Sequence, residues 1–302
     1  MEYFLQMLEI QGSLFLYILL GIFLRKKNVL SEPVIKGMIN YTLIVAMPAM
    51  IFNSFAVEVT ADTGRHMAYI ITISTALAFG ALLLGKLLFR RVPDDERRVM
   101  MYGMFMSNAG FAGMPLVSMV FGEQAVFYAS MYLLPLRAIV WTIGIALFAH
   151  ISKKDALKNF LFHPASIATW LGFLRLGLGV SPPRFADIVL QNVGNSTTSL
   201  SIILVGCMLA EIDFSRAITR NVLVLSTLRL AVLPLITLFV LRLLPLDPLV
   251  VAVCVILAGM PVGINTALFA KQFSGNYQFA SKCIFVSTML SLLTIPLLTL
   301  LF

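Results

Sequence analysis

Charge is scarce in this chain. Only 12% of its 302 residues are Asp, Glu, Lys or Arg, where soluble domains average about 25%. The scarcity is uneven. Stretches 37–57, 66–85, 99–122, 188–210, 248–270 and 283–302 carry no charged residue, and each is 20 to 24 residues long. Crossing the hydrocarbon layer takes about 20 largely apolar helical residues. A soluble enzyme, a nucleic-acid binder and a secreted disulfide scaffold are thereby excluded, and the net charge of +8 is not a nucleic-acid footprint. Cysteine is scarce too. Cys207, Cys254 and Cys283 stand apart in apolar stretches with no CxxC spacing, which suits neither a disulfide framework nor a zinc site. They read as small buried hydrophobes, and neither metal nor cofactor is expected. The start, Met1-Glu2-Tyr3-Phe4-Leu5-Gln6, has no basic n-region of a cleaved signal, so the first span is expected to be retained. Segments of alternating polarity, as in an outer-membrane barrel, are missing. So are Gly/Ser linkers and connections long enough to fold separately, which leaves no room for a sensor, kinase or ATPase module.

What is present is a series of apolar runs between charge and turn clusters. They predict an all-α polytopic membrane protein with ten spans, at 10–24, 34–56, 66–89, 98–121, 124–150, 160–179, 185–210, 219–242, 248–270 and 278–301. Odd-numbered connections hold 16 of the cations, among them Arg90, Arg91, Lys153, Lys154 and Arg216. Even-numbered ones hold only Arg65, Arg175, Arg184 and Arg242. Cytoplasmic loops carry the excess of Lys and Arg, so the odd connections are expected in the cytoplasm of an inner membrane, with both termini outside.

Two fragments recur. Phe23-Leu24-Arg25, with Ser31 after it, returns 150 residues later as Phe173-Leu174-Arg175 with Ser181. Ala112-Gly113-Met114-Pro115 returns 146 residues later as Ala258-Gly259-Met260-Pro261. The offsets join span 1 to span 6 and span 4 to span 9, which gives a five-span repeat over 1–150 and 151–302. Because five is odd, the second copy enters from the opposite face, the plan of secondary transporters whose sites lie on discontinuous helices near the midplane. Proline lacks an N–H and clashes with the carbonyl four residues back, so Pro115 and Pro261 are expected to break spans 4 and 9. Gly113 and Gly259 ease an irregular backbone there. Such backbone is tolerated in hydrocarbon only when buried in protein or lining a wet cavity. Pro48, Pro135, Pro234 and Pro296 read as ordinary kinks.

Polar groups inside spans are few. Asn108 precedes Pro115, and Asn265 with Thr266 follows Pro261. Their side chains have two roles open to them, satisfying freed backbone or turning toward a ligand. The band Gln191, Asn192, Asn195, Ser196, Thr197 and Thr198 in span 7 reads as helix–helix glue. Arg137 and Arg229 lie inside spans 5 and 8, at a cost of at least about 2.5–3.5 kcal/mol each. The nearest acidic residues, Glu58, Glu123, Glu211 and Asp247, fall at span ends. A guanidinium without an acidic partner suits an organic carboxylate, gripped in bidentate fashion, or the carbonyls of a broken neighbouring helix. Proton-relay antiporters and many cation carriers keep a mid-membrane Asp or Glu, and this chain has none. His163, before Pro164, is the one candidate titrating group near the pathway. His66 and His150 read as interface residues.

These residues resemble the auxin efflux carrier family in its short bacterial form, over nearly the whole chain. The most specific stretch is Met260-Pro261-Val262-Gly263-Ile264-Asn265 with Phe269-Ala270-Lys271, similar to the family's Pro-x-Gly-Ile and Phe-Ala-Lys pattern. Asn108 with Pro115-Leu116 and Phe121-Gly122 looks like its Asn and crossover-proline motif, and Arg229-Leu230 with Pro234 like its Arg-x4-Pro. Arg137, before Trp141, stands where plant auxin carriers tend to carry Gln, which points to a smaller, more strongly anionic substrate. His163-Pro164-Ala165 stands where the family often has Asn-Pro and a polar residue. The resemblance implies two inverted five-helix repeats crossing at spans 4 and 9. It also implies a scaffold of spans 1, 2, 6 and 7, a mobile part of spans 3–5 and 8–10, homodimers through the scaffold, and elevator-like carriage of organic anions.

The expectation is a carrier of small carboxylates such as malate or malonate, with Asn108, Asn265, Thr266, His163 and Arg137 around the substrate. Rivals are a sodium-coupled symporter with a bile-acid-transporter-like fold, a channel or receptor, and an intramembrane enzyme. The enzyme would need paired catalytic groups in the spans, and the sequence offers none.

Overall fold

The computed structural model describes residues 2–57, 61–148, 152–210, 217–273 and 275–301. Glu58, His150, Glu211 and Arg216 lie outside the described residues, as does the junction of the two expected halves at 150–151. Every regular element among the described residues is helical: α1 (Glu2–Lys26), α2 (Glu32–Asn53), α3 (Ala61–Leu88), α4 (Asp94–Phe105), α5 (Ala109–Phe121), α6 (Glu123–Gly144), α7 (Lys153–Leu161), α8 (Pro164–Leu178), α9 (Arg184–Leu209), α10 (Arg220–Arg242), α11 (Pro248–Ala258), α12 (Asn265–Gln272) and α13 (Tyr277–Thr299). Seven of them (α1, α2, α3, α6, α9, α10 and α13) are long and apolar enough to cross a membrane. The fourth and ninth expected spans differ. Each is divided, the fourth into α4 and α5 and the ninth into α11 and α12, so neither half has the length of a crossing. The sixth is the 15-residue α8.

Three prolines within the helices are accommodated by a common device, whereas Pro135 and Pro296 lie within α-helical turns. The turns Thr42–Ala46, Ala109–Gly113 and Leu228–Val232 are π-helical, and each ends two residues before a proline (Pro48, Pro115 and Pro234). In each the amide just before the proline donates five residues back: Met47 to Thr42, Met114 to Ala109, and Leu233 to Leu228. One extra residue in the turn moves the carbonyls that the proline ring would strike. The helix therefore runs on through Pro115, which corrects the expectation of a break there.

Two helix pairs pack backbone to backbone. A Cβ at Gly21 would overlap the carbonyl oxygen of Ile203, and one at Gly206 that of Ile18, so α1 and α9 meet where neither carries a side chain. Gly172 of α8 leaves room for the Phe55 ring just past α2, and Gly194 of α9 lies against the Met50 backbone. Asn53 Nδ2 donates to the Leu190 carbonyl at 2.8 Å, tying α2 to α9. The other helices pack mainly among themselves, α3 on α6 and α4, α10 on α11, and α13 on α10 and α12. At one end Asn221 Nδ2 donates to Glu96 (2.6 Å) and Asn276 Nδ2 to Asp95 (2.7 Å), which fastens α4 to the starts of α10 and α13.

Candidate functional site at the crossing of two interrupted helices

The chain leaves helical geometry at Met106, whose amide makes the last α4 bond to Tyr102 at 2.9 Å. It resumes at Asn108, whose carbonyl accepts from Ala112 (2.9 Å) and Gly113 (3.1 Å). Later in the chain, α11 ends at Ala258 with Gly259 as its cap, and residues 260–264 run irregularly into α12. The two interruptions lie against each other as a short antiparallel bridge between Ser107 and Val262. The Asn108 amide donates to the Pro261 carbonyl at 2.8 Å, and the Gly263 amide to the Met106 carbonyl at 3.0 Å. A Cβ at Gly263 would stand 2.9 Å from the Ser107 carbonyl oxygen, so this approach requires glycine.

Four further backbone groups around the interruptions are met by side chains, which hydrocarbon surroundings favour. Ser287 Oγ of α13 accepts from the Val262 amide at 3.1 Å, and Ser107 Oγ donates to the Leu257 carbonyl at 3.4 Å. Arg229 is 3% exposed. Its Nε donates to the Met260 carbonyl at 3.1 Å and its Nη1 to the Met104 carbonyl at 2.9 Å. Those carbonyls lie at the C-terminal ends of α11 and α4, where helix dipoles present partial negative charge. One guanidinium thus neutralises both. The opposing N-terminal ends, of α5 at Ala109 and of α12 at Asn265, turn the positive ends of their helix dipoles to the crossing, although at α12 the Thr266 and Ala267 amides are met by the Gly263 (2.9 Å) and Ile264 (3.0 Å) carbonyls. The two dipole ends leave the crossing with a positive bias.

The expected site residues divide into groups. Asn108 is 3% exposed, and its Nδ2 has no partner. Thr266 is buried with an unpartnered Oγ1, while Asn265 is half-buried at the first position of α12. Gly113 and Gly259 serve close packing: a Cβ would stand 2.7 Å from Leu257 Cδ2 at the first and 2.7 Å from Leu298 Cδ1 at the second. Pro261 lies in the crossing; Pro115 lies in α5. Arg137 is bonded to α8. Its Nη1 reaches the Ala165 carbonyl at 3.4 Å and Thr169 Oγ1 at 3.3 Å, and no carboxylate among the described residues pairs with it. His163 caps α8, its Nδ1 accepting from the Ala165 amide at 3.3 Å, with its ring 6.1 Å from that of Trp141.

Sequence reasoning passed over Ser107, Ser287, Gln11, Thr288 and Ser291. The signal available was polar side chains at 287, 288 and 291, spaced for one side of an otherwise apolar last span. A chamber beside the crossing is lined by Gln11, Asn108, Pro261, Thr288 and Ser291. A wider cleft shares Val205 of α9 with it and is lined by Glu32, Lys36, Lys271 and Tyr277. There Lys36 pairs with Glu32 at 2.8 Å, and Lys271 sits 5.5 Å from the centre of the Tyr277 ring. A separate cleft is lined by Asp62, His66, Glu123, Tyr128 and Asp247.

Comparison with known proteins matches residues 11–160 and 148–299 to a family described as "Membrane transport protein". A Methanothermobacter thermautotrophicus protein called "Uncharacterized transporter" is 26% identical over 289 residues, covering 94% of this chain and 95% of that protein. A Rhizobium meliloti protein called "Putative malonate transporter" is 24% identical over 266 residues, 84% of this chain and 83% of its own. A Methanocaldococcus jannaschii protein, also called "Uncharacterized transporter", is 23% identical over 292 residues, 93% of this chain and 94% of its own.

Proposed function

The chain belongs to the membrane transport protein family, that of the auxin efflux carriers, and from that premise we propose that it is a secondary carrier of small organic anions, malonate-like or malate-like, working across an inner membrane. The observation that carries this reading is Arg229 bonded to both interruptions. It cancels the two negative helix ends and leaves the two positive ones to an anion. The name of the Rhizobium meliloti relative supports the choice of carboxylates.

In this reading the substrate sits at the crossing, beside Asn108 and the start of α12 at Asn265 and Thr266. Arg137 supplies the counter-charge. Its present bonds are long and go to neutral oxygens, so a carboxylate can replace them at little cost. His163 orients the start of α8 next to it. The chain crosses ten times, as two inverted five-helix repeats over 1–150 and 151–302, with α4–α5 and α11–α12 as the interrupted crossings. The reciprocal packing of α1 on α9 and of α8 on α2 supports that symmetry. The layer α1, α2, α8 and α9 is the scaffold, through which two copies pair. The rest moves as one body in an elevator-like step, which the Glu96–Asn221 and Asp95–Asn276 bonds between its helices support. The cleft with Lys36 and Lys271 opens to the cytoplasm, and both termini lie outside.

The test is counterflow in proteoliposomes. Saturable exchange of labelled malonate is expected with or without a sodium gradient. Strict sodium dependence would favour a sodium-coupled symporter, and a failure of every small carboxylate to exchange would overturn the reading.

A further inference from the structure

The chamber between α1, α13 and the crossing is built for something that the proposed counter-charge does not explain. Gln11, Asn108, Thr288 and Ser291 are each 3 to 5% exposed and all line it. Asn108 Nδ2 and Thr288 Oγ1 have no hydrogen-bond partner. Ser291 Oγ donates to the Thr288 carbonyl at 2.7 Å and keeps its lone pairs for another donor. Buried donors without acceptors are destabilising unless a ligand or water meets them. The remaining walls are aliphatic, with no charged side chain among the lining residues. The nearby guanidinium of Arg229 is committed to the Met104 and Met260 carbonyls.

We infer that this chamber receives an uncharged oxygen of the substrate, a hydroxyl on the carbon beside the carboxylate, and that Thr288 and Gln11 with Asn108 set a preference for hydroxy acids over their plain analogues. A hydroxyl accepts from Asn108 Nδ2 and exchanges a hydrogen bond with Thr288 Oγ1, while the Gln11 amide offers both a donor and an acceptor. A carboxylate in the same place would lose its hydration among aliphatic walls with no facing counter-charge. Sites that hydrogen-bond a substrate hydroxyl discriminate against the analogue lacking it, because their buried groups are then left unpaired. The inference rests on the carrier reading for its ligand class, and its test separates the two.

The assay uses the full-length protein in proteoliposomes and compares malonate with hydroxymalonate, which differ by one hydroxyl, as competitors of labelled malonate counterflow. Hydroxymalonate is expected to compete at about tenfold lower concentration, the worth of roughly one well-made hydrogen bond. Thr288→Val and Gln11→Met are each expected to bring the ratio toward one. Because they sit on different helices, one can be read if the other fails to fold. Equal competition in the unmodified protein, or a ratio untouched in both variants, overturns the inference. Thermal shift in detergent with the same two acids reads binding without flux. A hydroxyl preference seen there and lost in the variants, with no counterflow, leaves the inference standing and removes the carrier reading. If neither acid shifts the melting temperature or moves, both fall.

Discussion

Among single side chains, the two arginines within spans have different employment. Arg229 makes two hydrogen bonds from a fully buried guanidinium, each worth about 1.5–3 kcal/mol for a charged donor. Arg137 makes two long ones from a half-buried position. Arg229→Lys is therefore expected to lower the melting temperature in detergent by several degrees and to abolish counterflow, since one ammonium lacks the planar fork that reaches two carbonyls. Arg137→Gln is expected to melt near the unmodified protein while counterflow falls at least about tenfold, the effect of a lost charge-assisted contact. A melting loss as large for Arg137→Gln as for Arg229→Lys would make both structural. The sequence could place these arginines inside the membrane but could not choose their partners. Met104 lies 125 residues from Arg229, and carbonyls leave no mark in residue identity. His163 shows the same limit, since residue type could not tell that its Nδ1 accepts from the Ala165 amide and caps α8.

The helices tell how far residue patterns reach. Apolar length located α1, α2, α3, α6, α9, α10 and α13, and the paired Ala-Gly-Met-Pro fragments marked the two stretches that are divided. The position of the first division was not readable from Pro115, because a widened turn lets α5 pass the proline. The chain instead leaves the helix at residues 106–108, with no proline among them. Nor was the α1–α9 contact visible, since Gly21 and Gly206 look like any other glycines in apolar runs. A Cβ at Gly206 would meet the Ile18 carbonyl backbone, whereas one at Gly12 of the same α1 meets nothing within 4 Å. Gly206→Ala is accordingly expected to lower yield and melting temperature. Gly12→Ala is expected to be neutral or to stabilise by up to about 1 kcal/mol through helix propensity. Equal melting of the two variants would mean that the backbone-close packing of α1 on α9 does not hold.

Across the whole molecule, two clefts differ in the charged residues that line them. Lys36 and Lys271, from connections rich in cations, line one cleft, while Asp62, Glu123 and Asp247, from connections poor in them, line another. The chamber beside Asn108 was hidden in the sequence, because Gln11 and Thr288 belong to opposite ends of the chain. What unites the two halves is the meeting of residues 106–108 with 260–263, and every role proposed for the crossing depends on it. A double variant, Ser107→Cys with Val262→Cys, probes that meeting. The pair sits between the two bridge hydrogen bonds, where opposed Cα atoms stand about 4.5 Å apart, within the range a disulfide spans. With a membrane-permeable oxidant and peptide mapping, a 107–262 disulfide is expected in high yield in native membranes. Both cysteines remaining reduced while the protein stays folded would contradict it.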